Sequence, residues 1–404
     1  MRILIINNLY LPYVVGGGEV SVQTLADGLQ RNGHDVKIIS LGSMNNINAS
    51  DDSVFYIDYP LMIKIWPIKD NRKFIGRLAF QYIGDITKSH VSPKIRKIIR
   101  AFKPDIVHTN NLAGIGSCVW SIISTFKIPI VHTLRDYYHL CIKQTMFNQS
   151  KRCNCAQQCS MCFLATVIRR SRSRHVAGIV GNSDHILQAH LTSGYFKHAK
   201  KYVVSGGLSE SFVLNHKLPP KTISQIGYLG QIVSTKGVDD FIQLAHKYHN
   251  LKFVVGGDVS NHYAIKLKSE NKLSNLSWLG RVDPQEFLDS IDILIVPSKW
   301  HEPLPRVIYE AYARGILVVA TKNGGNPSVM AKLPDEYRFL YSSEDIKSLF
   351  SVFQDAIDLL SSGIFDPNVL IKNSLNFTES KIVEKYCRIY REVQDNYLLD
   401  TTSR

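Results

Sequence analysis

Short apolar runs alternate with longer amphipathic segments along the chain. Runs without polar positions are typical of strands buried on both faces of a parallel sheet, whereas apolar residues three or four positions apart indicate helices packed on that sheet. The strands predicted in the first half are Ile3–Ile6, Val36–Ile39, Asp105–His108, Ile128–Val131, Gly178–Val180 and Lys201–Val204. The helices predicted between them are Glu19–Gln30, Ser92–Phe102, Ile115–Phe126, Ala165–His175 and Asp184–Leu191.

The alternation restarts after residues 205–224, whose Gly-Gly and Pro-Pro pairs are typical of a linker. Parallel strands need crossover helices, so the pattern predicts an α/β protein with two doubly wound, Rossmann-like domains, residues 1–210 and 211–378. Residues 379–404 follow and begin with an amphipathic helix. The elements predicted beyond the linker are strands Gln225–Leu229, Phe253–Val255, Leu276–Leu279, Ile291–Val296, Leu317–Ala320 and Arg338–Leu340 and a helix over Val238–Tyr248.

The stretch Pro297–Ala311 follows a buried apolar run and opens a helix. Prolines at 303 and 305 are tolerated only in a first helical turn, so this helix is expected to begin close to Glu302. The unpaired amides of a helix N-terminus bind anions such as phosphate. Glu302 would lie beside a bound diphosphate, and Glu310 about two turns deeper, roughly 12 Å along the axis. Two arbitrary glutamates are more often solvated acids, and only the residues around these two favour a site.

The 404-residue chain is longer than one hydrophobic core usually serves. It has no apolar run long enough to span a bilayer and no signal-peptide pattern, so we expect a cytoplasmic protein. The formal net charge of +14 favours an anionic partner. Because no nucleic-acid-binding signature is present, an anionic membrane surface is expected rather than nucleic acid.

Basic residues are densest from Lys64 to Lys103, where they alternate with apolar residues such as Trp66, Phe74 and Phe80. An amphipathic basic segment is typical of helices that lie in a membrane interface. It would attach the protein peripherally to the inner face of the cytoplasmic membrane. An ordinary solvated helix face explains the pattern equally well, and both interpretations stay open.

Glu302 and Glu310 are separated by seven residues. Pro-Ser precedes them, and Ala and Gly follow them. This pattern resembles the signature of retaining glycosyltransferase family 4. This family uses nucleotide sugars and has the GT-B fold. Gly16-Gly17-Gly18-Glu19, Gly230–Gly237 and Gly324-Gly325 fall in the family's order, so the resemblance covers nearly the whole chain. It implies two Rossmann-like domains that face each other across a cleft, with the C-terminal helix crossing back to the first. It also implies that Glu302 holds the donor's sugar and Glu310 its ribose.

The resemblance also indicates which residues bind the donor. Gly230–Gly237 is similar to the family's phosphate loop, with Lys236 at the family's lysine but Gln231 where an arginine is usual. Arg306 is a candidate to supply the missing guanidinium; otherwise donor affinity is weak. Alternatively, Lys236 is a surface lysine, Gly324-Gly325 forms a plain turn and Gly16-Gly17-Gly18 is a flexible loop. The donor-binding candidates are Gly17, Gly18, Gln231, Lys236, Glu302, Leu304, Pro305, Arg306, Glu310, Gly324 and Gly325.

The stretch His132–Tyr138 follows a predicted strand at the carboxyl end of the sheet, where open α/β folds place their ligand sites. Many relatives end this stretch in His-Asp, but Arg135 stands at the position of that histidine, so the histidine's role does not carry over. Arg135 would bind an anionic acceptor or the donor phosphate, and Asp136 would orient it. His132 is either part of the site or a buried histidine of the core. The catalytic candidates are Glu302, Lys236, Asp136 and Arg135.

Five of the seven cysteines are concentrated in one short stretch. Clustered thiols in a cytoplasmic chain favour a metal over disulfides, with structural zinc first and an iron–sulfur cluster second. Free thiols stay open, because the spacing is not a standard pair of Cys-x-x-Cys motifs. Some members of the family carry a similar cysteine-rich insert, here residues 141–162. The candidate ligands are Cys141, Cys153, Cys155, Cys159 and Cys162.

The resemblance implies a retaining, hexosyltransferase-like enzyme. It would move a sugar from a nucleoside diphosphate sugar to a saccharide acceptor, expected to be lipid-linked, in cell-surface polysaccharide or glycan biosynthesis. Retaining members need no metal for catalysis and use front-face attack, in which the leaving diphosphate accepts the acceptor's proton. The alternatives are a nucleotide-sugar epimerase of the GT-B fold and a non-catalytic subunit that binds sugar nucleotides. Intact Glu302, Glu310 and Lys236 argue against the non-catalytic subunit.

Overall fold

A computed structural model describes residues 1–42, 53–57, 85, 91–210, 212 and 223–402. Contacts divide the chain into two compact units: unit 1 is residues 1–146, 156–207 and 379–404, and unit 2 is residues 147–155 and 208–378. The segment 147–155 therefore groups with unit 2, whereas the sequence places the whole cysteine-rich stretch in the first domain. Sequence pattern alone carries no signal for this, because the segment's partners lie about 90 to 150 residues further along the chain.

The described strands, in chain order, are β1 (Arg2–Ile6), β2 (Asp35–Leu41), β3 (Val54–Ile57), β4 (Ile106–Thr109), β5 (Ile130–Leu134), β6 (Phe147–Asn148), β7 (Cys153–Asn154), β8 (Gly178–Gly181), β9 (Lys200–Val203), β10 (Gln225–Leu229), β11 (Lys252–Gly256), β12 (Leu276–Gly280), β13 (Ile293–Val296), β14 (Leu317–Thr321) and β15 (Phe339–Tyr341). The described α-helices are α1 (Gly17–Arg31), α2 (Ser92–Phe102), α3 (Cys118–Ser124), α4 (Ser160–Arg172), α5 (Asp184–Thr192), α6 (Val238–Lys247), α7 (His262–Glu270), α8 (Pro284–Asp289), α9 (Arg306–Ala313), α10 (Asn326–Met330), α11 (Ile346–Ser361), α12 (Pro367–Ser374) and α13 (Glu379–Thr402). The alternation of strand and helix follows the predicted pattern in both units.

Unit 1 is built on a parallel sheet whose described strands have the order β3-β2-β1-β4-β5-β8-β9. The apolar strands β1 and β4 lie side by side at its centre, and the strand order reverses between them. In such sheets, ligands bind beyond the carboxyl ends of the strands at the reversal. The loops that follow β1 and β4 are therefore placed for a ligand.

The C-terminal helix α13 belongs to unit 1, where it packs against α1. Gly28 of α1 permits the close approach, because a Cβ at this position would lie only 2.6 Å from a methyl carbon of Val383. At the end of α1, the guanidinium of Arg31 forms an ion pair with the carboxylate of Glu379. The residues that α13 contributes to this core are Ile382, Val383, Tyr386, Ile389, Tyr390 and Val393.

Unit 2 repeats the design with a parallel sheet whose described strands have the order β12-β11-β10-β13-β14-β15. The reversal lies between β10 and β13, so it is flanked by the loops 230–237 and 297–305. Both sheets are covered by helices, which explains why their central strands read as continuous apolar runs.

Helix α9 begins at Arg306, so the prediction that it begins close to Glu302 is wrong by four residues. The residue before a proline is sterically disfavoured in the helical conformation, and this applies to both Glu302 and Leu304. Pro305 is accordingly extended and caps the helix at φ −77° and ψ 114°. Glu310 therefore lies about one turn, not two, inside the helix.

Most of the basic segment Lys64–Lys103, including Trp66, Phe74 and Phe80, lies outside the described residues. Its described end is α2, which buries Ile95 and Ile99 in unit 1 and exposes its lysines, as an ordinary surface helix does. Among the helices that the structure describes, none has a stretch that is long and apolar enough to cross a bilayer.

Candidate active site

A lysine and a glutamate connect the two loops that flank the strand reversal of unit 2. Lys236 ends a short turn of 3-10 helix in the first loop, and its ammonium group forms an ion pair with the carboxylate of Glu302 in the second. Ser298 donates a hydrogen bond from its hydroxyl to the same oxygen, Oε1 of Glu302, at 2.7 Å. The Glu302 side chain is 7% exposed and that of Lys236 is 24% exposed. The structure thus brings together two of the predicted catalytic residues, with a buried acid and an accessible cation.

Glycine at position 237 allows these two loops to approach each other. Gly237 has φ +69°, and a Cβ there would lie 1.9 Å from the carbonyl oxygen of Pro297. Beside it, the amides of Lys299 and Trp300 donate hydrogen bonds to the carbonyl oxygen of Thr235 at 2.9 and 3.3 Å. Neither Gly237 nor Thr235 was predicted individually, because their role depends on backbone contacts across 60 residues of sequence.

A third loop, which follows β14, packs against the backbone of Glu302. Gly324 has φ +57°, and a Cβ there would lie 2.2 Å from the carbonyl oxygen of Glu302. That oxygen accepts a hydrogen bond from the amide of Gly325 at 2.7 Å, while the carboxamide of Asn323 donates to the carbonyl of Ser298 at 2.9 Å. The sequence predicts that this glycine pair lets backbone approach the donor. In the structure, the close neighbour of Gly324 is Glu302 itself.

The other predicted glutamate, Glu310, pairs with Arg306 one turn earlier on α9. Nε of Arg306 donates to Oε1 of Glu310 at 3.0 Å, and both side chains are less than 15% exposed. Burial lowers the pKa of Arg306, but the neighbouring Tyr309 and Glu310 outweigh it, so the pKa is raised overall. Leu304 and Pro305 lie just before this helix, with Leu304 packed on the core of unit 2.

Gln231, which stands where an arginine is expected, has an exposed side chain. Its carbonyl oxygen accepts a hydrogen bond from the hydroxyl of Tyr228 at 2.7 Å. Burial raises the pKa of Tyr228 well above its usual value, and the nearby charge of Glu302 adds to this. This contact between Tyr228 and Gln231 is made through the backbone of Gln231.

In unit 1, α1 begins at Gly17, so Gly17 and Gly18 form its first turn. Oε2 of Glu19 accepts a hydrogen bond from the amide of Gly16 at 2.8 Å and caps the helix. Burial raises the pKa of Glu19. A Cβ at Gly18 would meet no atom of the described residues within 4 Å.

Arg135 and Asp136 follow β5 and each contacts an asparagine that follows the neighbouring strand β4. Nε of Arg135 donates to Oδ1 of Asn110 at 2.9 Å, and Nδ2 of Asn111 donates to Oδ2 of Asp136 at 2.7 Å. Asp136 also accepts the amide of Tyr138 at 2.9 Å, while burial raises the pKa of Asp136 to about 6. Sequence reasoning did not find the two asparagines, although polar residues directly after a central strand were the available signal.

His132 is a buried residue of the core, which decides between its two interpretations. Its Nδ1 lies 2.9 Å from the hydroxyl of Thr109 and its Nε2 lies 2.9 Å from Nε2 of His139. Burial lowers the pKa of His132 well below its usual value, so the ring is neutral.

The cysteine-rich stretch is divided between the two units. Cys153 and Cys155 group with unit 2, whereas Cys141, Cys159 and Cys162 group with unit 1. A hydrogen bond from Cys162 lowers the pKa of Cys141 to about 5. Throughout the part of the chain that the structure describes, no three histidine, cysteine or acidic side chains are placed to hold a metal ion. The thiols as arranged do not fit a zinc centre, and structural zinc stays a prediction that elemental analysis of the purified protein would test.

The family model for Glycosyltransferase Family 4 matches residues 15–211, and that for Glycosyl transferases group 1 matches residues 213–359. The chain belongs to glycosyltransferase family 4. Among its relatives, an uncharacterized 42.6 kDa protein in the cps region of Klebsiella pneumoniae is 29% identical over 394 residues, which cover 97% of this chain and 100% of that protein. The O-antigen biosynthesis glycosyltransferase WclY of Escherichia coli is 23% identical over 217 residues, 49% of this glycosyltransferase and 58% of WclY.

Solved structures establish the fold of this glycosyltransferase as GT-B. Sucrose-phosphate synthase from Thermosynechococcus elongatus superposes with a TM-score of 0.73 at 16% identity, covering 97% of this chain and 98% of that one. Anabaena HepE, solved in complex with UDP, superposes with a TM-score of 0.70 at 17% identity, covering 97% and 100% of the two chains. The expected fold class is therefore confirmed.

Proposed function

We propose that this glycosyltransferase transfers a sugar, with retention of anomeric configuration, from a nucleoside diphosphate sugar to a saccharide acceptor during assembly of a cell-surface polysaccharide. The observation that carries the proposal is the Lys236–Glu302 ion pair, which joins the two loops at the strand reversal of unit 2. Support for the donor comes from HepE, which was solved with UDP and with UDP-glucose. Support for the pathway comes from the names of the relatives, one of O-antigen biosynthesis and one of a cps region.

In this proposal, Lys236 binds the donor diphosphate. It lies two residues before α6, whose N-terminal amides add positive potential for an anion. When the diphosphate arrives, the ammonium group exchanges its Glu302 partner for phosphate oxygens, and the carboxylate of Glu302 accepts hydrogen bonds from sugar hydroxyls. Glu310 holds the ribose, and Arg306, which is paired with it, is the candidate second cation in place of the arginine that Gln231 replaces.

The proposed reaction breaks the bond between the anomeric carbon and the leaving phosphate oxygen and forms a bond from the acceptor hydroxyl oxygen to that carbon on the same face. The hydroxyl proton moves to the leaving phosphate, so no side-chain base is required. Lys236 stabilises the charge that develops on the phosphate, and Glu302 fixes the position of the sugar. Chelation of divalent metals with EDTA should accordingly leave turnover unchanged.

The acceptor is assigned to unit 1, at the carboxyl ends of β4 and β5. Arg135 and Asp136 lie there, held by Asn110 and Asn111. Arg135 would bind a polar or anionic group of the acceptor saccharide, and Asp136 would orient it. Replacing Arg135 by methionine should raise the KM for the acceptor while the donor affinity of the enzyme stays unchanged.

The experiment that tests the donor site compares Lys236→Met with Lys268→Met, an exposed lysine of α7 in the same unit. UDP, GDP and ADP and their glucose conjugates are each added to the full chain, and the melting temperature is measured. A ligand that binds only the folded state raises this temperature. We expect the nucleotides of one base to raise the melting temperature of the wild type and of Lys268→Met but not that of Lys236→Met. An equal shift in all three proteins would remove Lys236 from the donor site.

Product assays then separate this function from its two alternatives. An epimerase would convert the nucleotide sugar without an acceptor, and a binding subunit would give no product with or without one. A transferase releases the nucleoside diphosphate in proportion to acceptor consumed. The anomeric configuration of the new linkage, read by NMR, tests retention directly.

We further propose that the acceptor is lipid-linked and that the enzyme attaches peripherally to the inner face of the cytoplasmic membrane. The support is the net charge of +14 and the density of basic residues in Lys64–Lys103. Each basic residue near an anionic surface contributes about 1 kcal/mol at low salt. The enzyme should sediment with anionic liposomes in 0.1 M salt, not with neutral ones, and should be released in 1 M salt. Absence from both pellets would leave a soluble acceptor as the better proposal.

A further inference from the structure

The hairpin of β6 and β7 groups with unit 2, although the residues on both sides of it in sequence group with unit 1. Its strands pair antiparallel, Phe147 with Asn154 and Asn148 with Cys153. Oδ1 of Asn148 accepts hydrogen bonds from the amides of Ser150 and Lys151 at 3.1 Å and closes the turn. A two-stranded hairpin is only marginally stable by itself. Its contacts with the rest of unit 2 therefore stabilise it.

Asn154 binds the backbone of the loop that carries Glu302. Its Nδ2 donates to the carbonyl oxygen of Lys299 at 2.8 Å, and its Oδ1 accepts from the amide of His301 at 2.8 Å. The carboxamide thus uses both of its functions on the residues that flank Trp300. Glu302 is the next residue after His301, so these bonds fix the backbone immediately before the carboxylate.

Arg152 connects the same hairpin to α6, the helix that follows the loop carrying Lys236. Its guanidinium lies 3.0 Å from Oδ2 of Asp239, in the first turn of α6 and three residues after Lys236. Asp239 also accepts the hydroxyl of Tyr263 at 2.8 Å. The Arg152 side chain is 65% exposed, so this ion pair contributes little by itself. The half-buried bonds of Asn154 are the stronger attachment.

We propose that Asn154 is a positioning residue of the donor site. By binding Lys299 and His301, it orders the loop so that the carboxylate of Glu302 is in place for the donor sugar before the donor binds. A loop that has to be ordered at the moment of binding reduces affinity. The inference rests on the proposed role of Glu302 and goes beyond it, because it gives the cysteine-rich stretch a part in donor recognition.

The predicted effect is selective for the sugar. The bare diphosphate is held by Lys236, whereas the sugar requires Glu302. Loss of Asn154 should therefore weaken the binding of a nucleotide sugar more than the binding of the matching nucleoside diphosphate. Two hydrogen bonds of ordinary strength correspond to a loss of about fivefold to 150-fold in the affinity for the nucleotide sugar. A general weakening of unit 2 would change both affinities alike.

The test uses the full chain with Asn154→Ala, Asn154→Asp and the control Lys151→Ala. Lys151 is exposed at the turn of the same hairpin. Asn154→Asp keeps the acceptor for His301 but loses the donor for Lys299, so its effect should be intermediate. Calorimetric titration with UDP and UDP-glucose, or the GDP or ADP pair if that base binds, gives the ratio of the two dissociation constants. We expect this ratio to change in Asn154→Ala and to stay constant in Lys151→Ala.

Amide exchange measured by mass spectrometry on the free protein supplies a readout that needs no ligand. Peptides that contain Lys299–Glu302 should exchange faster in Asn154→Ala than in the wild type and in Lys151→Ala. Unchanged exchange, or an unchanged ratio of dissociation constants, would overturn the positioning role. If the wild type binds none of the nucleotides, the proposed donor site fails, and the exchange result alone decides whether Asn154 orders the loop.

Discussion

At Gly324, the residue type is dictated by the backbone of a neighbouring loop. The position has φ +57°, and a Cβ would lie 2.2 Å from the carbonyl oxygen and 2.5 Å from the amide nitrogen of Glu302. A side chain here has to displace the loop that carries the donor-site carboxylate. The same holds for Gly237 beside Lys236, so two glycines maintain the geometry of one ion pair.

Gly324→Ala should therefore destabilise unit 2 by about 3 kcal/mol or more, since it combines a left-handed backbone with a steric clash. The matched control is Gly280→Ala. Gly280 has φ +75°, but a Cβ there meets no atom of the described part of the chain within 4 Å. Backbone strain alone should cost that variant about 1 kcal/mol. Urea unfolding measures both losses, and similar values for the two variants would show that the contact with Glu302 is unimportant.

At the scale of elements, a buried ion pair attaches α4 to the rest of unit 1. Nε of Arg169 lies 2.6 Å from Oδ2 of Asp85, and both side chains are 2% exposed. Asp85 also accepts hydrogen bonds from the amide of Ser117 at 2.8 Å and the hydroxyl of Tyr138 at 3.1 Å. The guanidinium of Arg169 lies 3.9 Å from the centre of the Tyr138 ring. Each charge in this cluster is thus paired and hydrogen-bonded.

Arg169→Met keeps an unbranched, although shorter, side chain and leaves the buried carboxylate of Asp85 without its cation. We expect a loss of about 3–5 kcal/mol in the free energy of unfolding, as for other buried pairs from which one partner is removed. Arg2→Met is the control, because the Arg2–Asp105 pair is 3.7 Å long and its arginine is 46% exposed. That variant should lose less than about 1 kcal/mol. Equal losses would mean that the buried pair is no stronger than an exposed one.

The elements that the sequence predicts well are those whose signal is local. Apolar runs locate the central strands, and β10 is predicted with the bounds it has in the structure. The predicted start of α9 is wrong by four residues. A proline is tolerated inside a first helical turn, but it disfavours the helical conformation of the residue before it, and this second effect decides the start. Ser298, Asn323 and Asn154 are missed as parts of the site, since each acts through a partner that only the folded chain brings near.

For the whole molecule, the pH dependence of stability follows from histidines buried in unit 1. Nε2 of His108 lies 2.7 Å from the hydroxyl of Thr133 and its Nδ1 lies 2.7 Å from the hydroxyl of Tyr390, so the ring joins β4 to β5 and α13. Burial lowers the pKa of His108 to about 3 and that of His190 to about 4. Burial also lowers the pKa values of His132 and His139 well below the usual value.

The sign follows from which state binds protons. Below about pH 6.5 the unfolded chain protonates these histidines and the folded chain does not, so stability falls as the pH decreases. Each histidine should reduce the free energy of unfolding by about 1–2 kcal/mol between pH 7 and pH 5. Burial raises the pKa of Asp136 to about 6 and also raises the pKa of Glu19. These two groups act in the opposite direction, because the folded state binds their protons more readily than the unfolded state does. Burial also raises the pKa of Asp240 in unit 2, which acts in the same direction as these two acids. Four histidines outweigh three acids, so we expect a net loss of stability between pH 7 and pH 5.

Urea unfolding at pH 7 and at pH 5 measures the net effect, and His190→Gln isolates one contribution. Between pH 7 and pH 5, the free energy of unfolding of this variant should fall by about 1–2 kcal/mol less than that of the wild type, because one neutral buried imidazole is absent. This difference does not depend on the absolute stability of the variant. His249→Gln, at an exposed position in unit 2, should leave the pH dependence as in the wild type. A wild type that is equally stable at both pH values, or an unchanged pH dependence in His190→Gln, would show that the buried histidines take up protons without unfolding unit 1.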